Sequence, residues 1–157
     1  STRLWRQCGA DSGGDISANP IDAAALCRLL DGMDQNAALP PTVLYVLNPG
    51  SYYAAATAAG SFRDVRLGAA WWHCDHLDGI YENLRLAASL GCLGNAPGMV
   101  TDSRSFLSYS RHDYFRRIVC GLLGGWVENG EFSAADAAKV IKRICYDNAR
   151  ALFGKEE

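Results

Sequence analysis

The run Thr42-Val43-Leu44-Tyr45-Val46-Leu47 constrains this chain most, because it is apolar at successive positions. Neighbouring side chains of a strand point to opposite faces, so such a run is a strand covered on both sides. Pro40-Pro41 precedes it, and Asn48-Pro49-Gly50 ends it. Arg66-Leu67-Gly68-Ala69-Ala70-Trp71-Trp72 reads as a second buried strand, and Gly98-Met99-Val100-Thr101 as a short third.

Helical patterns alternate with these runs. The spacing predicts a helix opening at Asn19-Pro20, with Asn as N-cap and Pro at the first helical position. Ala23, Leu26, Cys27 and Leu30 form its apolar face. An Ala-rich helix follows from Tyr52 to Ala59, and another runs from Asp78 to Leu90 with Ile80, Leu84, Ala87 and Ala88 on one face. Ser110 with Asp113 opens a fourth helix in capping-box fashion, and Ser133 with Asp136 a fifth. Tyr114, Ile118, Leu122 and Trp126 line one face of the fourth; Ala137, Val140, Ile141 and Ile144 line one face of the fifth. The stretch from Gln7 to Ala18 reads as loop. Strands alternating with helices define an α/β fold with βα units on a parallel sheet. Three strands are few for such a sheet, which needs neighbours on both edges.

The 157 residues suit one segment, 1–157, with no internal repeat. A formal net charge of -2 offers no basic field for a phosphate backbone, so nucleic acid is not an expected partner. No apolar run approaches the roughly 18 residues that span a bilayer. The chain lacks an initiator Met, and the expectation is that it begins inside a longer protein. The six cysteines contain no CxxC pair. They read as reduced thiols of a cytoplasmic protein, with Cys27, Cys120 and Cys145 as small core residues.

Chemistry in parallel α/β folds sits at the C-terminal strand ends. Three segments qualify: Asn48-Pro49, Trp71 to His76, and Thr101-Asp102-Ser103-Arg104-Ser105. Asp102 and Arg104, two positions apart, can project to the same side. A carboxylate there binds a metal or takes a proton, while the guanidinium holds a carboxylate substrate in a bidentate fork. The same pair could instead cap the following loop. Trp71 and Trp72 are either two large core residues or the wall of a sugar-sized pocket. His73, Asp75 and His76 are metal-ligand types without the HExxH arrangement, and His112 falls in the first turn of a helix, facing solvent or substrate.

These segments resemble uronate isomerase. The resemblance rests on Gly68 to Trp72 with Asp75, Asp78-Gly79, Gly98 to Tyr109, Arg111 to Ile118 and the tail Cys145 to Gly154. It implies the C-terminal part of a TIM-like (β/α)8 barrel of the amidohydrolase type, with about the last three βα units plus a terminal helix. It also implies an aldose–ketose isomerase of hexuronates, interconverting D-glucuronate with D-fructuronate and D-galacturonate with D-tagaturonate. By this resemblance Asp102 is catalytic and faces a divalent metal ion, zinc by expectation. Arg104 is catalytic and substrate-binding, and Trp71 and Trp72 shape the substrate pocket. The family's HxH metal ligands have no counterpart here, because the three histidines are His73, His76 and His112. A non-catalytic α/β binding module derived from such a barrel is the alternative. A homo-oligomer is left open.

Overall fold

The computed structural model describes residues 2–9 and 20–154. Helix α1 spans Thr2–Cys8, so Gln7 and Cys8 end a helix rather than begin a loop. Asn19, the expected N-cap, lies outside the described residues. Helix α2 starts later than expected, at Ala23–Gln35, with Asp22 as N-cap. The Asp22 carboxylate accepts from the Ala25 N–H at 2.9 Å, satisfying one of the orphan donors of the first turn. Its buried side is also narrower than expected. Leu30 is buried and Leu26 and Met33 are half-buried, whereas Ala23 and Cys27 are exposed.

Strand β1 (Thr42–Leu44) pairs in parallel with β2 (Val65–Leu67), in the register Thr42↔Val65 and Leu44↔Leu67. Helix α3 (Tyr52–Ser61) makes the crossover. Ala55, Ala56, Ala58 and Ala59 are buried on it, and side chains this small let the helix lie close to the sheet. Both strands are shorter than expected. The β1 residues are only half-buried, because one edge of β1 has no partner among the described residues. On β2, Val65 and Leu67 are buried with the helices, while Arg66 alternates to the other face and is half-buried.

The third strand does not form. Residues 98–101 join no ladder. The Gly68 carbonyl just past β2 instead accepts from the Asn83 side chain at 3.3 Å, and Gly98 sits at φ +87. A strand exists only where a neighbour completes its hydrogen bonds.

Helix α4 (Leu77–Ser89) buries Ile80, Leu84 and Ala87. Helix α5 (Ser110–Glu128) buries Phe115, Ile118, Val119, Leu122 and Leu123. Tyr114, expected inside, is exposed. The Ser110–Asp113 box is absent, because a 3-10 turn, Phe106–Tyr109, runs directly into α5. Ser110 Oγ donates back to the Leu107 carbonyl at 2.9 Å. At α6 (Ala134–Lys142) the cap does form. Ser133 Oγ accepts from the Asp136 N–H at 3.0 Å, and its hydroxyl donates to the Asp136 carboxylate at 2.7 Å. A π-helical stretch, Arg143–Asp147, carries α6 into α7 (Asn148–Phe153). Asn148 Nδ2 donates to the Gly94 and Ala96 carbonyls, each at 2.9 Å, tying this tail to the segment before residues 98–101.

One cluster including Leu30, Tyr52, Ile80, Leu84, Leu123 and Ile144 forms the core. Each aliphatic side chain among them contributes about 1.5–3 kcal/mol through burial. The six cysteines are free thiols, but their placement corrects the expectation. Cys74 and Cys92 are buried, Cys27 and Cys120 are exposed and Cys145 is half-buried. Helical spacing set the phase of those positions without saying which side met a neighbour. No helix among the described residues is long and apolar enough to cross a membrane.

Candidate active site

Past β2 the chain runs through buried Gly68, Ala69 and Ala70 into a tight turn at Trp71–Cys74. Trp72 (φ 35) and His73 (φ 53) occupy the left-handed region, which costs roughly 1–3 kcal/mol per non-glycine residue. The Cys74 N–H donates to the Trp71 carbonyl at 3.3 Å. Gly79 of α4 lies directly against this turn, where a Cβ would collide with the Cys74 carbonyl. The turn thus carries two indoles on a strained but supported backbone.

Residues 98–105 form the opposing segment. Gly98 packs on the Ile144 carbonyl, leaving no room for a Cβ, and Asp102 lies at φ 46. Serines hold the loop. Ser103 Oγ accepts from the Ser105 N–H at 3.1 Å, Ser105 Oγ accepts from the Leu107 N–H at 3.2 Å, and the Ser103 and Ser108 hydroxyls are bonded to each other. With the serines in that role, no ion pair joins Asp102 to Arg104 among the described residues. Both side chains are exposed.

Two concavities meet here. A pocket of about 510 Å³ is lined by Tyr45, Trp71, Met99, Val100, Thr101, Asp102 and His112. A second, of about 620 Å³, is lined by Trp72, Thr101, Asp102, Ser103 and Arg104. Both volumes fall in the range of about 300–1,000 Å³ usual for small-molecule sites. Thr101 and Asp102 belong to both. The four expected site residues therefore gather around one carboxylate, with Trp71 on one side and Trp72 and Arg104 on the other. Trp72 Nε1 is shielded from solvent and has no acceptor among the described residues, so a ligand oxygen could take its hydrogen. Tyr45 is exposed at its outer edge, and partial desolvation raises its hydroxyl above the ordinary tyrosine pKa.

Tyr45 and Thr101 were not singled out from the sequence. Tyr45 continues the alternation of β1, and strand phase was the signal available for it. His76 and Asp75 have structural partners: His76 Nδ1 caps α4 by accepting from the Gly79 N–H at 3.3 Å, and Asp75 is bonded to Arg111. Among the described residues no group of three or more His, Cys, Asp or Glu could hold a metal ion. Among the described residues that line the two pockets, Asp102 is the one carboxylate available to a divalent ion, which is not a complete ligand set.

A parallel β-α-β unit with its polar residues beyond the strand ends places this chain among the parallel α/β folds, doubly wound or barrel. The family model for glucuronate isomerase matches residues 1–153. The uronate isomerase of Caldanaerobacter subterraneus subsp. tengcongensis is 46% identical over 98% of this chain and 35% of its own length. That of Mannheimia succiniciproducens is 46% identical over 98% and 34%. The crystal structure of uronate isomerase from Thermotoga maritima superposes with a TM-score of 0.87 at 39% identity, covering 97% of this chain and 34% of that one. Glucuronate isomerase from Caulobacter crescentus gives 0.85 at 25% identity, covering 95% and 32%. The chain belongs to the glucuronate isomerase family, and it spans about a third of the length of the relatives it matches. Its fold is accordingly α/β, the C-terminal part of a TIM-like (β/α)8 barrel.

Proposed function

We propose that this chain supplies the Asp102 side of a hexuronate isomerase site, converting D-glucuronate to D-fructuronate and D-galacturonate to D-tagaturonate. The observation that carries the reading is that Asp102 lies on the boundary of two pockets, one walled by Trp71 and the other by Trp72 and Arg104. In the open-chain aldose, the Asp102 carboxylate removes the proton from C2. The electron pair forms a C1–C2 double bond, and the aldehyde oxygen O1 takes up a proton. The enediol then collapses: O2 loses its proton and becomes the ketone oxygen, while C1 receives the proton held by the base. No oxidant or reductant is needed. Arg104 pairs with the substrate carboxylate through its planar fork. The hydroxyl of Tyr45 and the indole N–H of Trp72 are donors for substrate oxygens.

We include a divalent metal ion in this reading, with Asp102 as one oxygen ligand and the remaining ligands outside the described residues. The chemistry such an ion supplies is polarisation of the carbonyl. We place the reaction in cytoplasmic carbohydrate catabolism. The test is conversion of glucuronate to its ketose by the full-length protein carrying this chain, with and without Asp102→Asn. Turnover that survives the substitution overturns the assignment of Asp102.

A further inference from the structure

We infer that the ion pair between Asp75 and Arg111 is a positioning clamp that holds the Trp71–Trp72 turn against the Asp102 loop. The inference rests on the isomerase reading of that pocket. Asp75 follows Trp72 by three positions on the turn after β2, and Arg111 lies in the first turn of α5, just beyond the loop that carries Asp102 and Arg104. Arg111 Nη2 donates to two atoms of one residue, the Asp75 carboxylate and, at 3.1 Å, its backbone carbonyl. Holding a side chain and its own backbone together fixes the orientation of the turn as well as its distance.

Three further observations set this pair apart. It joins positions 36 apart, whereas the other three ion pairs among the described residues join side chains no more than five positions apart. It is also better shielded, with side chains 36% and 24% exposed, against 79% and 54% for Arg117–Asp113, so solvent and salt weaken it less. Each end is close in sequence to residues that line the pockets. His112, next to Arg111, shares the pocket with Trp71 and Asp102. The turn it holds contains Trp72 and His73 at positive φ, a backbone that needs an external restraint to persist.

Neither residue lines either pocket, so both are positioning residues. Loss of the clamp lets the indole walls drift relative to Asp102, and displacement of about 1 Å at a reacting centre costs up to about 100-fold in rate. The experiment is a double-mutant cycle in the full-length protein with Asp75→Asn, Arg111→Gln and the pair combined, plus Arg111→Lys. We expect each single change to lower kcat/KM on glucuronate by at least about tenfold, the double variant to be no worse than the singles, and Lys to recover part of the loss. In parallel, acrylamide quenching of Trp71 and Trp72, taken against a Trp71→Phe/Trp72→Phe background, should rise in the Asn and Gln variants. Additive losses, unchanged kinetics with a lowered Tm, or unaltered quenching would overturn the clamp. A wild-type protein that does not isomerise glucuronate would overturn the isomerase reading instead, and the quenching arm would still decide whether the pair positions the turn.

Discussion

The rings of Trp71 and Trp72 lie 6.1 Å apart at 52°, yet they line different cavities, and Asp102 is common to both. Two adjacent residues divide one concave surface because the turn places Trp72 in the left-handed region. On the isomerase reading proposed above, the carboxylate at the division carries the proton, and the two lobes would take the carboxylate and the carbon chain of the sugar acid.

Asp102→Asn should abolish isomerisation in the full-length protein. The amide keeps the shape and loses both charge and basicity. Steady-state rates with glucuronate are the check, and a variant within about threefold of wild type, under 1 kcal/mol of barrier, would remove Asp102 from the mechanism.

Arg104→Lys should lower kcat/KM at least about tenfold, the scale of one charge-assisted hydrogen bond at roughly 1.5–3 kcal/mol. Its effect on Tm should be small, because Arg104 is exposed and in no ion pair among the described residues. A lowered Tm with unchanged kinetics would instead make Arg104 a loop residue.

Gly98→Ala should lose both stability and activity. Gly98 sits at φ +87, and a Cβ would lie 2.5 Å from the Ile144 carbonyl. Backbone on one side and strain on the other leave nowhere for the methyl to go, and the expected cost is about 2 kcal/mol or more. Urea unfolding measures the first loss. Glucuronate kinetics measure the second, since Met99 to Asp102 would shift with it.

Ser133→Ala should destabilise by about 1 kcal/mol through the lost α6 cap and should also flatten the acid limb of stability. The Ser133 hydroxyl, then Lys139, holds the Asp136 carboxyl below its ordinary value. A carboxyl depressed in the folded state adds stability that is present above its unfolded pKa of about 3.9 and fades as pH falls through the lower folded value. Chemical denaturation between about pH 5 and pH 2 should show a shallower decline in the Ala variant, and an unchanged slope would contradict the pairing.

Residues 1–157 alone should not isomerise glucuronate, with or without added zinc or manganese. The described residues provide one candidate oxygen ligand in Asp102 and no three-donor cluster. Among the described residues the sheet has two strands, where a closed barrel needs about eight. Turnover near the enzymic scale of about 1–1,000 per second would require a complete site within this chain.

What the sequence determined by itself is the order of the two strands and of helices α2 to α6, and the loop that carries Asp102 beside Arg104. Period-2 and period-3.6 patterns depend on neighbours a few residues away, so β1, β2 and helices α2 to α6 were legible, as was the Ser133 cap. Asp102 and Arg104 were legible as a pair because they share a loop. The expected strand over residues 98–101, the Ser110 box and the core positions of Cys27 and Cys120 were not borne out. A ladder needs a partner strand, a cap needs helix donors not already taken by a preceding turn, and burial needs a facing surface. The same reason explains the gains. Tyr45 and Trp71 reach one pocket with Asp102, and Arg111 reaches Asp75 across 36 positions. Those contacts are distances between residues far apart in the chain, and only the packing of α4 and α5 beside the sheet decided them.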